Sequence, residues 1–262
     1  MSLPKPFRII AHRGASGYAP ENTMAAFKRA AEMGCSDVET DVSFTRDGKL
    51  LLFHDNTLDR TTSGSGDPGD FTMDELRRLD AGSWWNPDAP RAAWEPELSW
   101  DRDYSGEQVI TLEELLDEFG DSFTYHVEIK QPTDGLVPAV LDAIRVRGLI
   151  DNVLIAAIDD DASLQEAIKI EPSIRVASAC VARLKEAGSQ AVEECAEFGY
   201  HMVTLASFNH TRELVELGQR LGMEVRSSGI SNREQMIVAV EIGANGMTIN
   251  WPDWLQDYVR DM

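Results

Sequence analysis

Residues 8–44 have the sequence RIIAHRGASGYAPENTMAAFKRAAEMGCSDVETDVSF. An apolar run at residues 8–11 is followed by a helical pattern at residues 24–33, by Gly34, and by a second extended run at residues 38–42. A glycine directly after a helical pattern is a common signal for the end of a helix. Strand, helix and strand in this order are typical of a βαβ unit, so the stretch predicts two neighbouring parallel strands.

Strands and helical patterns continue to alternate along the rest of the chain. Six further strand candidates lie at residues 125–129, 153–157, 175–178, 202–205, 224–226 and 246–249. Further helical patterns lie at residues 112–119, 136–146, 162–168, 190–198, 211–221 and 233–242. Eight strands with helices between them favour an α/β fold of the (β/α)8 TIM barrel type over an open sheet. A length of 262 residues suits a single barrel domain over residues 1–262.

A hairpin signal follows the second strand. Asp47 and Gly48 stand between two runs of alternating polarity, a pattern typical of a two-residue hairpin loop. If these two residues form the whole loop, Asp41 faces His54 across the hairpin. The sequence therefore predicts that a histidine and a carboxylate lie side by side here.

Residues 56–108 depart from the strand and helix alternation. The segment has one helical piece near residues 73–79 and is otherwise rich in turn residues. We expect a cap-like insertion that packs over the active-site face of the barrel. It contains four of the six tryptophans, namely Trp84, Trp85, Trp94 and Trp100.

The charge of the chain excludes some classes of partner. Forty-five acidic residues against 24 lysines and arginines give a formal net charge of −21, which repels nucleic acids and anionic membrane surfaces. A phosphate-bearing substrate would need local attraction from a metal ion or from a few placed cations. No apolar run reaches the length of a signal peptide or a membrane span, so we expect a soluble, cytoplasmic protein. Its three cysteines, Cys35, Cys180 and Cys195, have unrelated spacings and are expected to be reduced thiols.

Acidic residues recur at two-residue spacing on neighbouring strands. Glu39 and Asp41 share one face of the second strand, and Glu128 and Lys130 share one face of the next barrel strand. Three carboxylates in one barrel mouth favour a hard divalent cation such as Mg²⁺ or Ca²⁺, with Mn²⁺ as a further candidate. The alternatives are a solvated pair of acids and an ion pair between Lys130 and one of the carboxylates.

Basic side chains follow the first strand. His12 and Arg13 come directly after it, at the rim where the catalytic groups of TIM barrels gather. Together with His54, His12 suits general acid–base work near neutral pH, and Arg13 suits bidentate binding of phosphate oxygens. Asn22 is a candidate N-cap of the first helix, while Glu21 either belongs to that helix start or orients the loop of His12. The other histidines, His126, His201 and His210, have no comparable support.

Several spaced motifs resemble those of the glycerophosphodiester phosphodiesterase family. They are Ala11-His12-Arg13-Gly14, Pro20-Glu21-Asn22-Thr23, Val38-Glu39-Thr40-Asp41-Val42, Asp47-Gly48, His54-Asp55, Leu79-Asp80-Ala81-Gly82-Ser83-Trp84, Thr111-Leu112-Glu113-Glu114 and Val127-Glu128-Ile129-Lys130. The resemblance covers the first half of the chain densely and the second half faintly. It implies a barrel enzyme that cleaves a glycerophosphodiester to glycerol 3-phosphate and an alcohol with one divalent metal ion.

The resemblance also implies roles for individual residues. The metal ligands fall on Glu39, Asp41 and Glu128. The catalytic histidines fall on His12 and His54, and the substrate-binding cations on Arg13 and Lys130.

Departures from the family pattern lie where the alcohol of the substrate is expected to bind. The chain has Ala157-Ile158-Asp159 after the fourth barrel strand and Arg226-Ser227-Ser228-Gly229 near the end of the seventh, where aromatic residues are common in the family. Two alternative functions remain open. One is a phospholipase D-like reaction in which a substrate hydroxyl attacks and forms a cyclic phosphate. The other is a barrel that binds a phospho-ligand without catalysis.

Overall fold

The computed structural model describes residues 3–85 and 102–262 and contains a closed parallel barrel. Its strands are β1 (Arg8–Ala11), β2 (Asp37–Phe44), β4 (Thr124–Ile129), β5 (Val153–Ile158), β6 (Arg175–Ala179), β7 (Met202–Ala206), β8 (Glu224–Ile230) and β9 (Gly246–Ile249), with β3 (Leu50–Leu52) paired antiparallel to the end of β2. Neighbours follow the order β1-β9-β8-β7-β6-β5-β4-β2, and the pairing of β1 with β2 closes the barrel. The predicted (β/α)8 barrel is confirmed.

Helices surround this barrel. They are α1 (Met24–Glu32), α2 (Met73–Leu76), α3 (Leu112–Phe119), α4 (Leu136–Arg145), α5 (Asp161–Ile170), α6 (Val181–Ala187), α7 (Gln190–Glu197), α8 (Arg212–Arg220), α9 (Arg233–Glu241) and α10 (Pro252–Arg260). Within the described ranges, no helix combines the length and the apolar character needed to cross a membrane.

Apolar strand residues that face the helices form the main core. Val38, Val127 and Val203 are fully buried and belong to one cluster with helix residues such as Phe27 and Leu141. Removing this apolar surface from water is the chief driving force for packing the helices on the sheet. Because successive strand residues point to opposite faces, this core leaves the alternate positions of β2 and β4 pointing into the barrel.

The predicted register of the hairpin is wrong by one residue. Strand β3 pairs Leu52 with Val42 and Leu50 with Phe44, and Thr45 N–H donates to the carbonyl of Lys49 at 3.0 Å. The loop therefore has three residues, 46–48, and Gly48 takes its left-handed position at φ 72°. A glycine there is typical of a three-residue hairpin, so Asp47 and Gly48 do not form the whole loop.

The described parts of the insertion pack against the hairpin. Leu58, Met73 and Leu76 share a buried cluster with Leu51 and Phe53. The helical piece predicted at residues 73–79 is the shorter α2, capped by Thr72. Trp94 and Trp100 lie outside the described residues, and the cap-like role of residues 56–108 stays a prediction.

Candidate active site

A cavity of about 220 Å³ lies at the C-terminal ends of the barrel strands. His12, Arg13, Glu39, Asp41, His54 and Glu128 all line it. The seventh predicted site residue, Lys130, contacts this group through Glu128. The structure thus brings together the side chains that the sequence pattern predicted, although their roles stay predictions.

Three carboxylates form the most buried part of the site. Asp41 pairs in register with Glu128 across β2 and β4, and Glu39 lies two residues earlier on the same face of β2. One oxygen from each of the three residues lies within 4.8 Å of the others. Glu39 and Asp41 are only 3% and 1% exposed.

The electrostatics of this cluster fit a divalent cation. Burial, followed by the charges of Asp41 and Glu128, raises the pKa of Glu39 well above its usual range, although Arg13 and Arg226 oppose the rise. A raised pKa means that the ionised cluster lacks enough positive charge nearby. Oxygen ligands with such a charge deficit suit Mg²⁺, Ca²⁺ or Mn²⁺.

His12 is held by a neutral partner. Its Nδ1 lies 2.6 Å from Oδ1 of Asn250, and because a carbonyl oxygen only accepts, Nδ1 carries the proton. Nε2 lies 3.8 Å from Glu39 and keeps its lone pair on the cavity side. Burial and then the charge of Arg13 lower the pKa of His12 well below its usual range. The ring is therefore a neutral proton acceptor near pH 7.

His54 is held by a charged partner. Its Nδ1 donates to Asp55 Oδ1 at 2.6 Å, which leaves Nε2 for the cavity that His54 lines. Burial tends to raise the pKa of Asp55, but hydrogen bonds from Arg60 and His54 hold it well below its usual range. Asp55 is therefore an ionised carboxylate, and its bond to Nδ1 fixes the orientation of the His54 ring.

Arg13 lies between two carboxylates. Its Nη1 donates to Glu21 at 2.7 Å, its Nε is 3.3 Å from Asp41, and its backbone N–H donates to Glu39 at 3.1 Å. Burial tends to raise the pKa of Glu21, yet Arg13 and Arg60 lower it to about 2. The geometry supports the interpretation that Glu21 orients the loop of His12. It does so through its bond to Arg13 and not through a contact with His12.

Lys130 forms an ion pair with the carboxylates, which was one of the alternatives that the sequence left open. Its Nζ lies 2.9 Å from Glu128 and 3.9 Å from Asp41. Burial lowers its pKa, but these two carboxylates outweigh burial and raise it. Lys130 is thus a fixed cation beside the carboxylate cluster.

The predicted capping role of Asn22 is wrong. Thr23 is the N-cap of α1, and its side chain accepts from Ala26 N–H. Asn22 has φ 56° and donates from Nδ2 to Asp41 at 2.9 Å, while its Oδ1 accepts from Thr40. An asparagine tolerates the left-handed conformation, and here that conformation turns its amide toward Asp41.

The sequence pattern missed a polar column inside the barrel. Arg226, only 4% exposed, donates to Thr204 Oγ1 at 2.9 Å and approaches His126 Nδ1 at 3.4 Å. Nε2 of His126 lies 3.2 Å from Asp37, which also pairs with Arg8. A signal existed on β4, since His126 and Glu128 share one face.

Comparison with known proteins agrees with this geometry. The model of the glycerophosphoryl diester phosphodiesterase family matches residues 12–254. A protein named glycerophosphodiester phosphodiesterase from Caldanaerobacter subterraneus subsp. tengcongensis is 32% identical over 96% of this chain and 97% of its own length. One of the same name from Bacillus subtilis is 31% identical over 96% of this chain and 87% of its own.

A solved structure has the same fold. The crystal structure of a protein from Silicibacter pomeroyi DSS-3 superposes with a TM-score of 0.86 at 25% identity, over 100% of this chain and 95% of that chain. The family match extends from His12 to Trp254 and so includes every strand of the barrel but the first. The chain belongs to the glycerophosphoryl diester phosphodiesterase family.

Proposed function

We propose that this protein hydrolyses glycerophosphodiesters to glycerol 3-phosphate and an alcohol, with a divalent metal ion and two histidines in acid–base roles. One observation carries the proposal: three carboxylates, Arg13 and two histidines whose Nδ1 atoms are already bonded surround a single cavity. The names of the two relatives above support the same substrate class.

Glu39, Asp41 and Glu128 would hold the metal ion, since their oxygens converge and their charge is poorly compensated. When bound, the ion supplies positive charge that polarises the phosphoryl group and lowers the pKa of an attacking oxygen. Mg²⁺ or Ca²⁺ suits the all-oxygen ligand set, and Mn²⁺ is a further candidate.

His12 is the proposed general base. Its neutral ring and its Asn250 partner leave Nε2 able to take a proton from the attacking water. His54 is the proposed general acid, because its bond to Asp55 holds the ring at the cavity with Nε2 free to deliver a proton to the leaving alkoxide. The different hydrogen-bond partners of the two histidines thus distinguish the proposed base from the proposed acid.

Arg13 is the proposed phosphate-binding cation, with Lys130 in support. The guanidinium lines the cavity and is fixed by Glu21, so it is placed before the substrate arrives. Lys130 adds charge beside Glu128. These local cations supply the attraction that a net charge of −21 does not.

A chelation experiment tests the proposal. The protein is treated with EDTA, supplied again with Mg²⁺, Mn²⁺ or Ca²⁺, and assayed for glycerol 3-phosphate release from glycerophosphocholine, glycerophosphoethanolamine and glycerophosphoglycerol. We expect chelation to abolish activity and at least one metal to restore it. Full activity in EDTA, or full turnover by His12→Ala protein, would contradict the mechanism.

Phosphorus NMR of the first product separates hydrolysis from the alternative reaction. Attack by water yields glycerol 3-phosphate directly, whereas attack by a substrate hydroxyl yields a cyclic phosphate first. A cyclic species at early time would overturn direct hydrolysis and leave the site assignments in place.

A further inference from the structure

We propose that Arg60 is a positioning residue for this reaction, and that it aligns His54 and Arg13 at the same time. The inference rests on the roles given above to those two residues. Arg60 lies in the segment after β3, and its side chain is 43% exposed. Its contacts, and not its burial, point to the role.

The guanidinium of Arg60 is bound by two carboxylates at once. Nε and Nη2 donate to the two oxygens of Asp55 at 2.6 and 2.9 Å. Nη1 and Nη2 donate to the two oxygens of Glu21 at 2.9 and 2.6 Å. Only the planar, five-donor arginine side chain makes two such forks together.

Each carboxylate continues to a group that lines the cavity. Asp55 accepts from Nδ1 of His54 at 2.6 Å, and Glu21 accepts from Nη1 of Arg13 at 2.7 Å. Arg60 thus joins the proposed proton donor to the proposed phosphate-binding cation. Outer partners of this kind fix the ring plane and tautomer of a catalytic histidine.

Charge balance adds a second effect. Glu21 and Asp55 carry two negative charges, and Arg13 and Arg60 carry two positive charges. Without Arg60, one uncompensated negative charge would remain beside a cavity that must bind a phosphodiester anion. Loss of Arg60 is therefore expected to weaken substrate binding as well as to slow the proton transfer.

A second residue of the segment 56–108 contacts Arg60. The guanidinium carbon of Arg60 lies 5.8 Å from the centre of the Trp84 ring, within the range of a cation–π contact. The aromatic ring thus lies beside a guanidinium that is also bonded to Asp55 and Glu21. Arg60 and Trp84 both belong to the insertion, which thus reaches the cavity residues through Asp55 and Glu21.

Arg147 provides a matched control. It forms the same bidentate pair with Asp117, at 2.7 and 2.8 Å, and it also donates to the carbonyl of Ala143. This pair joins α3 to the end of α4 on the outside of the barrel. Arg60→Met removes two forked ion pairs and Arg147→Met removes one, but only Arg60→Met breaks the chain of contacts to the cavity.

The experiment measures kcat, KM, the melting temperature and the affinity for glycerol 3-phosphate by calorimetry. We expect Arg60→Met to lower kcat/KM by about 100-fold, with part in kcat and part in KM, and to bind glycerol 3-phosphate about 10-fold more weakly. Arg147→Met is expected to keep wild-type kinetics. Arg60→Lys, which keeps the charge without the fork, should recover much of the KM change and little of kcat. Millimolar guanidinium should partly restore Arg60→Ala protein.

Outcomes for His54→Ala separate this inference from the proposed function. If His54→Ala keeps full activity, the proposed acid–base function fails. If His54→Ala is inactive while Arg60→Met behaves like Arg147→Met, only the role of Arg60 is overturned. If Arg60→Met does not fold, Arg60→Lys is the deciding variant. A loss of kcat that only parallels its loss of stability, with no difference between the changes in kcat and in KM, would contradict a positioning role.

Discussion

Asn250 accepts the Nδ1 hydrogen of His12 at 2.6 Å, so a neutral amide supports this histidine where a carboxylate supports His54. The amide fixes the tautomer without stabilising a charged ring. Together with burial and Arg13, this environment keeps the pKa of His12 low. We therefore expect the identity of the partner, and not only its position, to matter for the proposed role of His12.

Exchanging that amide for a carboxylate tests the point. In Asn250→Asp protein, a negative charge beside Nδ1 would stabilise the protonated ring and raise the pKa of His12. Because the proposed base must be neutral, the acidic limb of the kcat/KM profile should move to higher pH. Asn250→Ala, as the control, should lower kcat about 10-fold with no such movement. An acidic limb that stays in place in Asn250→Asp protein would argue against His12 as the base.

Two aspartates on one face of β2 allow a test of metal binding. Asp41→Asn should weaken metal binding, measured by calorimetry, by about 100-fold or more because a charged ligand is lost. Asp37→Asn is the control, since Asp37 is also buried but pairs with Arg8 and His126 at the other end of the strand. It should lower the melting temperature and leave metal affinity unchanged. Equal metal affinity in the two variants would remove Asp41 from the ligand set.

Buried His126 predicts a pH dependence of stability. Burial, with a smaller effect from Arg226, lowers its pKa to about 4, against the opposing bond to Asp37. As the pH falls through the unfolded value near 6.5, the unfolded chain takes up a proton that the folded protein does not accept until about pH 4. The free energy of unfolding should therefore fall across this window, by on the order of 1–3 kcal/mol from this residue.

Urea unfolding at pH 7, 6 and 5 measures this effect. His126→Gln cannot titrate, so its stability should depend less steeply on pH than that of the wild-type protein, whatever its stability at pH 7. Parallel pH dependences for the two proteins would show that His126 is not the group responsible.

Arg226 leads to a prediction about the protein without metal. It is buried, and the charges of Glu39 and Glu128 oppose the lowering of its pKa by burial. Arg226→Met would remove a cation that partly compensates the carboxylate cluster. We expect the metal-free protein to lose about 3–5 kcal/mol of stability. The rise in melting temperature on adding Mg²⁺ should be larger than in the wild-type protein, and a smaller rise would contradict the role of Arg226 as a compensating charge.

The placement of the site residues in the first half of the chain could be predicted from the sequence because it depends on local rules. Two-residue spacing places Glu39 and Asp41 on one face of a regular strand. The same rule places Glu128 on the inner face of the neighbouring strand. The sequence did not determine the register of the hairpin, because Asp47-Gly48 fits both a two-residue loop and the end of a three-residue loop.

The site residues from the second half of the chain could not be predicted in this way, because their placement depends on contacts between distant segments. Asn250 reaches His12 only because β9 closes the barrel against β1, and Arg226 meets His126 across the barrel interior. No local pattern marks either residue. Helices α6 and α10 were missed for a different reason, since one is short and the other follows the last strand, where no further strand marked its limits.

In the proposed function, the register between Asp41 and Glu128 would separate the choice of metal from the choice of substrate. Backbone hydrogen bonds of neighbouring parallel strands set the backbone separation of these two proposed ligands at the interstrand spacing, roughly 4.8 Å. Mutation of the surrounding loops cannot alter that spacing. A change of substrate specificity in the surrounding loops would therefore leave the proposed metal ligands in place, whereas a new metal preference would require a change in the length or type of the strand side chains themselves.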